Sequence, residues 1–136
     1  MKLYIVGGIL VVGLLIVALN PNLIADQVLN WAKQNPLNEN TPQVIFDTGR
    51  VCEFLTDGDS AIEMFSYLHD QYPKNAALCA PAMYYAGKIK AESSYIKVIR
   101  MQAVPFLQTV LDEYSDLEDW YAKSKQLMSE VTGEHI

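Results

Sequence analysis

The apolar residues of this chain follow two different patterns. Residues 3–19 read LYIVGGILVVGLLIVAL, a run of seventeen residues without a charge and without a polar stripe. From residue 42 onward, apolar residues recur three and four positions apart, which is the spacing of one face of a helix. The sequence shows no sustained strand-like alternation. The pattern therefore predicts an all-α protein whose N-terminal helix is hydrophobic on every side.

The length and uniformity of residues 3–19 are typical of a short membrane-spanning helix. A cleaved signal peptide needs small residues before the cut, and no A-x-A pattern follows the run. A lipoprotein needs a cysteine directly after it, whereas the first cysteine is Cys52. We therefore predict an uncleaved signal anchor, a single transmembrane helix over residues 1–20. Its Gly7, Gly8 and Gly13 would let a neighbouring membrane helix approach closely.

The charges beside this run are few. Lys2 and the α-amino group precede it, while Asp26 and Lys33 follow it and cancel. The positive-inside bias then places the N-terminus in the cytoplasm and the rest of the chain in a periplasmic or other extracytoplasmic space. An anchor of this kind implies a lipid bilayer and an integral membrane protein complex as partners.

Residues 21–41 are predicted to form an amphipathic helix and a linker. Asn20 followed by Pro21 is a typical helix start, because asparagine caps a first turn and proline suits its first position. Trp31 suits the depth of a membrane interface, where one edge of the ring is wet. Pro36 and its polar neighbours indicate a linker before the next helix.

The remaining segment, residues 42–136, contains an internal repeat at an offset of 42 residues. The matched pairs are Ala61 with Ala103, Phe65 with Leu107, Leu68 with Val110, Asp70 with Asp112, and Tyr72 with Tyr114. Each copy follows a predicted helix that carries one glycine, Gly49 in the first and Gly87 in the second. A repeat of this length predicts stacked helical hairpins.

These residues resemble the tetratricopeptide repeat family. In that family a small residue of helix A admits helix B, an alanine and a large apolar residue form the seam of helix B, and a proline ends it. Gly49, Ala61, Phe65 and Pro73 stand at those places, with Leu68 on the same face. The resemblance covers about residues 42–131. The second copy departs from it, because Ser115 replaces the proline and its interhelical loop is about four residues longer.

The resemblance implies a small helical-hairpin repeat domain that binds other proteins. The segment Ala80–Gly87 is similar to helix starts of envelope-exposed bacterial repeat proteins, some of which carry one N-terminal anchor and bind membrane proteins. The predicted fold is thus all-α, a single N-terminal transmembrane helix followed by a small tetratricopeptide-like domain.

The charge of the chain bears on which kinds of partner it can bind. The chain has 10 Lys and Arg against 16 Asp and Glu, a net charge of −6. This balance argues against nucleic acid as a partner, because binding to phosphates needs clustered basic residues. Basic side chains gather locally, and with two tyrosines they form the predicted partner surface: Tyr84, Tyr85, Lys88, Lys90, Lys97 and Arg100. The alternative interpretation is a solvated face without a partner.

Candidate catalytic chemistry is sparse. The two cysteines, Cys52 and Cys79, permit one disulfide in an exported domain, and the alternative is two buried free thiols. Neither His69 nor His135 has neighbours spaced for a metal. Ser60, with Glu63 three residues later, predicts a helix capping box rather than a nucleophile. We therefore expect no catalytic, metal or cofactor site and no small-molecule substrate.

Together these features predict a non-catalytic accessory or scaffold subunit. It would be held by its transmembrane helix beside a larger membrane complex and would bind partners through the helical repeat domain. The alternative is a periplasmic chaperone-like or secretion-associated factor that binds exported clients transiently.

Overall fold

A computed structural model of the protein describes residues 20–134, and its regular elements in this range are helical. In chain order they are α1 (Pro21–Gln34), α2 (Thr41–Phe54), α3 (Gly58–Gln71), α4 (Ala76–Glu92), the single turn α5 (Lys97–Arg100), a 3₁₀ turn at Met101–Ala103, α6 (Val104–Glu113) and α7 (Glu118–Thr132). The predicted all-α class is confirmed for this part of the chain.

The predicted fold class needs one correction, which concerns the transmembrane helix. Within residues 20–134, none of the helices combines the length and the apolar character needed to cross a bilayer. The assignments as a membrane protein and as a signal anchor are corrected with it. The segment on which they were based, with Gly7, Gly8 and Gly13, lies outside the described residues.

Side-chain oxygens cap the N-terminal ends of three helices. Asn20, Asp57 and Asn75 each accept a hydrogen bond from the backbone N–H three residues later, at 3.1, 3.1 and 3.3 Å. The predicted start of α1 at Asn20 and Pro21 is therefore confirmed.

The predicted capping box at Ser60 is wrong. Asp57 caps α3 instead, so Ser60 lies inside the first turn, where it is buried. Its hydroxyl lies 3.3 Å from the Oδ1 of Asn22, to which it donates a hydrogen bond. Ser60 therefore links α3 to α1 rather than beginning a helix.

The helices stack as hairpins in two rows. We call α2, α4 and α7 the A-type helices and α1, α3 and α6 the B-type helices. Each A-type helix packs on its own B-type neighbours, and α2 also contacts α4, which contacts α7. α1 contacts α3 in the same way. Such stacking gives each hairpin contacts mainly with its neighbours, as in a repeat array.

Two glycines set how closely the hairpins pack. A Cβ atom built on Gly49 would lie 2.5 Å from Cε1 of the Phe65 ring, and one built on Gly87 would lie 2.7 Å from Cδ2 of Leu107. Phe65 and Leu107 are fully buried. The same pairing of an A-type glycine with a large B-type side chain therefore occurs in both copies.

A tyrosine makes a second repeated contact. The Tyr72 hydroxyl donates a 2.9 Å hydrogen bond to the carbonyl of Pro36, and the Tyr114 hydroxyl donates one of 2.8 Å to the carbonyl of Pro73. Both tyrosines follow the last residue of a B-type helix, and both prolines lie shortly after the preceding B-type helix. Each bond therefore connects the ends of two successive B-type helices.

α1 is amphipathic, and its apolar face packs into the protein. Ala25, Leu29 and Ala32 are buried in the same core as residues of α2, α3 and α4. Their spacing equals that of the buried B-type residues Ala61, Phe65 and Leu68, and of Ala103, Leu107 and Val110. α1 is therefore a third copy of the B-type helix, which residues 42–136 alone did not reveal. Trp31, on the outer side of α1, is 37% exposed.

Candidate partner-binding site

A row of aromatic side chains crosses the A-type helices. We call it the aromatic face: Phe46 on α2, Tyr84 and Tyr85 on α4, and Trp120 on α7. Ring centroids are 6.5 Å apart for Phe46 and Tyr85, 5.6 Å for Tyr85 and Trp120, and 5.7 Å for Tyr84 and Trp120. All four are partly buried. These separations are those of interacting aromatic pairs, so the row is continuous.

Two cations lie on this row. The guanidinium carbon of Arg50 is 3.6 Å from the centroid of the Tyr85 ring, and Nζ of Lys123 is 4.6 Å from that of Trp120. Both distances are within the range of cation–π attraction. Arg50 also pairs with Glu53 at 2.8 Å, and its side chain is 40% exposed. The aromatic face thus carries both charge and water-accessible apolar surface.

A cleft of about 510 Å³ adjoins the aromatic face at Trp120. We call it the acidic cleft; it is lined by Ala77, Asp116, Leu117, Glu118, Asp119 and Trp120. It lies at the N-terminal ends of α4 and α7, where carboxylates are favoured by the helix dipole. Pro81 within α4 has no N–H, which leaves the carbonyl of Ala77 without its helical donor.

The residues of the partner surface predicted from the sequence lie on α4 and α5. Tyr84 and Tyr85 belong to the aromatic face, and Lys88 follows Tyr84 by one helical turn. Burial raises the pKa of Tyr84, and the positive charge of Lys88 partly opposes this. Lys88 also lies 4.0 Å from Glu92, an exposed pair of little energetic weight.

The other basic residues of that prediction lie at the C-terminal end of α4 or beyond it. Lys90 is in its last turn, Lys97 is exposed on α5, and Nε of Arg100 donates a 3.0 Å hydrogen bond to the carbonyl of Ala91. Arg100 therefore holds the loop against α4.

Sequence reasoning missed Phe46, Arg50, Trp120 and Lys123. Phe46 and Arg50 are four residues apart, and Trp120 and Lys123 are three apart, so each pair shares one helix face. That spacing was readable, but the faces meet only because the A-type helices lie side by side. The pairing of faces across helices is not encoded in the spacing along any one of them.

Both cysteines are free, buried thiols, so the disulfide considered from the sequence is absent. Sγ of Cys52 lies 3.8 Å from the carbonyl of Pro21, and Sγ of Cys79 lies 3.1 Å from that of Tyr72. Burial, with a smaller effect of Asp57, raises the pKa of Cys52 to about 11. Burial also raises the pKa of Cys79. Both thiols therefore stay protonated at neutral pH, which suppresses nucleophilic reactivity.

His69 makes a contact between repeats. Its Nε2 lies 3.2 Å from Oε2 of Glu113, which connects α3 to α6, and its ring meets that of Tyr114 edge-on at 6.0 Å. Over residues 20–134, no three or more His, Cys, Asp or Glu side chains are grouped so that they could hold a metal ion. His135 lies outside that range.

Comparison of the chain with protein-family models, with curated proteins and with solved structures gave no match. The candidate site is an aromatic face across three A-type helices, with the acidic cleft at one end.

Proposed function

We propose that this protein is a non-catalytic adaptor, a tetratricopeptide-like scaffold that binds a segment of a partner protein on its aromatic face. The observation that carries the proposal is the continuous row of four partly exposed aromatic rings on α2, α4 and α7. Helix-borne side chains of this kind are held in place before a partner arrives, so less conformational entropy is lost on binding.

Aromatic residues suit this role for an energetic reason. Tyrosine and tryptophan present a large contact area with few rotatable bonds, and they dominate the binding energy of many interfaces. Tyr85 is fixed between Phe46, Arg50 and Trp120, so its exposed edge has one orientation. A partner segment with apolar side chains would remove that edge from water.

The acidic cleft adds a preference for charge. Asp116, Glu118 and Asp119 line it beside Trp120. A partner segment with a basic residue next to its apolar anchor would place that residue in the cleft. Complementary charge of this kind raises the rate of association and fixes the orientation of the partner.

The experiment is capture of partners from the native cell extract on immobilised protein, quantified by mass spectrometry. We expect a stoichiometric partner whose recovery falls at least about ten-fold with Trp120→Ala, a loss typical of a central anchor. Asp119→Lys reduces it several-fold at low salt. Asp26→Lys, the same charge reversal at an exposed residue of α1, a helix that carries none of the aromatic face, leaves it unchanged.

Circular dichroism of each variant first establishes that the helices remain folded. A partner recovered equally by the wild-type protein and a folded Trp120→Ala variant would contradict the proposal. A broad set of weakly bound, unfolded clients would contradict the adaptor and favour the chaperone-like alternative.

A further inference from the structure

A projecting loop after α4 carries apolar side chains beside a lysine. Tyr95 is fully exposed, and Ile96 and Val98 are 60% and 78% exposed. Lys97, which stands between the last two, is exposed as well. We call residues 95–98 the apolar loop. Adjoining apolar side chains that are this open to water mark an interaction surface more often than isolated ones do.

Hydrogen bonds on either side hold the apolar loop in one conformation. The N–H of Ile96 donates a 3.0 Å hydrogen bond to Oγ of Ser94, and Nε of Arg100 donates one of 3.0 Å to the carbonyl of Ala91. The loop is therefore shaped before a partner arrives, which reduces the conformational entropy lost on binding.

The acidic cleft has the chemistry that complements this loop. Leu117 and Trp120 supply apolar lining, and Asp116, Glu118 and Asp119 supply carboxylates. A segment that fits the cleft needs a basic residue between apolar ones. The apolar loop has that order of residues, Ile-Lys-Val, on a surface that is open to water.

The two surfaces also have opposite charge within an acidic protein. Residues 88–100 contain four basic side chains and one carboxylate, whereas the whole chain carries a net charge of −6. Two copies of an acidic chain repel each other in most orientations. The orientation that places the basic stretch of one copy against the acidic cleft of another is attractive, so charge selects it.

The loop and the cleft lie at opposite ends of α4. Ala77, in the first turn of the helix, lines the cleft, and Ala91, in the last turn, holds Arg100 beside the loop. A helix of 17 residues separates these ends by about 25 Å. The loop therefore cannot reach the cleft of its own chain, and a contact between them needs a second copy.

We propose that the apolar loop of one copy docks in the acidic cleft of a second copy. Lys97 then lies beside the carboxylates of the cleft, and the neighbouring apolar side chains leave water against Trp120. This contact uses the acidic cleft of the proposed function and therefore rests on it. Because the two surfaces differ, each copy can bind one neighbour at each end, and the copies assemble head to tail.

Photo-cross-linking between whole chains tests the contact. A benzophenone amino acid replaces Tyr95, and isotope-labelled chains are mixed with unlabelled ones so that bonds between two copies are recognised by mass. We expect cross-links from position 95 to residues 116–120 of the other copy. Position 37 is the matched control, because Leu37 is 97% exposed and lies between α1 and α2. Equal cross-linking to residues 116–120 from both positions, or none from position 95, would overturn the proposal.

Reversal of charge on either surface gives a second test, by sedimentation velocity. Lys97→Glu and Asp119→Lys should each weaken self-association at least about ten-fold, because like charges then face each other. Mixing the two variants should restore it, since the unchanged loop of one meets the unchanged cleft of the other. Self-association that neither variant alters, or that the mixture does not restore, would overturn the proposal.

The same measurements separate this contact from the proposed function. Lys97→Glu leaves the aromatic face and the acidic cleft intact, so capture of a different partner protein should remain at the wild-type level. A wild-type chain that stays monomeric at about 0.1 mM, yet captures a partner through Trp120, would overturn the head-to-tail contact and leave the adaptor role in place.

Discussion

Gly49 and Gly87 are the residues at which the fold depends most directly on the absence of a side chain. Each lies on an A-type helix where the facing B-type side chain leaves less than 3 Å for a Cβ atom. Phe65, which faces Gly49, cannot retreat easily, because it is fully buried and its ring contacts Phe46 and Tyr85. A methyl group at position 49 must therefore separate α2 from α3.

The first prediction concerns this contact. Gly49→Ala should lower the free energy of unfolding by about 1–3 kcal/mol, as overpacking of a core does, despite the higher helix propensity of alanine. Urea denaturation measures the change. Adding Phe65→Leu should make the two effects less than additive, because the shorter side chain leaves room for the methyl group.

Gly58→Ala is the control for this prediction. A Cβ atom there would meet only one methyl group of Ile89, which is partly exposed and can move. Its effect should stay below about 1 kcal/mol. Equal losses at positions 49 and 58 would show that the close contact with Phe65 does not determine the packing.

The second prediction concerns the buried thiol of Cys52. Its pKa is about 11 in the folded protein against an ordinary value of 9.0. The folded state therefore binds the proton more tightly, so this contribution to stability is complete below pH 9 and is lost as the pH rises to 11. The difference in unfolding free energy between wild type and Cys52→Ala should shrink across that interval. A difference that stays constant from pH 8 to pH 11 would contradict the assigned environment of Cys52.

At the scale of the element, the end of α2 contains a strained residue. Thr56 has a positive φ of 62°, which is unfavourable for a β-branched side chain. Its N–H bonds the carbonyl of Glu53 at 3.0 Å, and the N–H of Asp57 bonds that of Cys52 at 2.9 Å. These bonds close the helix in a manner that usually places glycine at this position. α7 ends with Gly133 at a φ of 73°.

The third prediction compares these two helix ends. Thr56→Gly should raise the free energy of unfolding by about 1 kcal/mol, because glycine adopts this conformation without strain. Gly133→Thr should lower it by a similar amount. Thermal denaturation of both variants provides the measurement. A loss of stability in Thr56→Gly would indicate that the threonine side chain contributes a contact larger than its backbone strain.

The elements also show what the sequence could and could not predict. The hairpins were predictable, because Gly49, Ala61 and Phe65 stand at the spacing that brings two helices together. The start of α3 was not, because Asp57 and Ser60 are both good caps and only the tertiary contact of Ser60 with Asn22 decides between them. Sequence reasoning set the amphipathic α1 apart from the domain, because an apolar helix face fits a membrane surface as well as a protein core.

At the scale of the whole molecule, the two rows of helices have different roles. The B-type helices each bury a stripe of apolar residues and join their ends through Tyr72 and Tyr114. The A-type helices leave the aromatic face partly exposed and carry Arg50 and Lys123 on it. The candidate site was beyond the reach of the sequence for this reason: it is assembled from three helices that are separated along the chain.

The most direct test of the account is site-specific photo-cross-linking in the native cell extract. A benzophenone amino acid replaces Lys123, which lies over Trp120 on the aromatic face, or Lys125, which follows two residues later on another side of α7. We predict that position 123 cross-links to one partner protein and that position 125 does not. The same partner cross-linked equally at both positions, or only at 125, would contradict binding on the aromatic face.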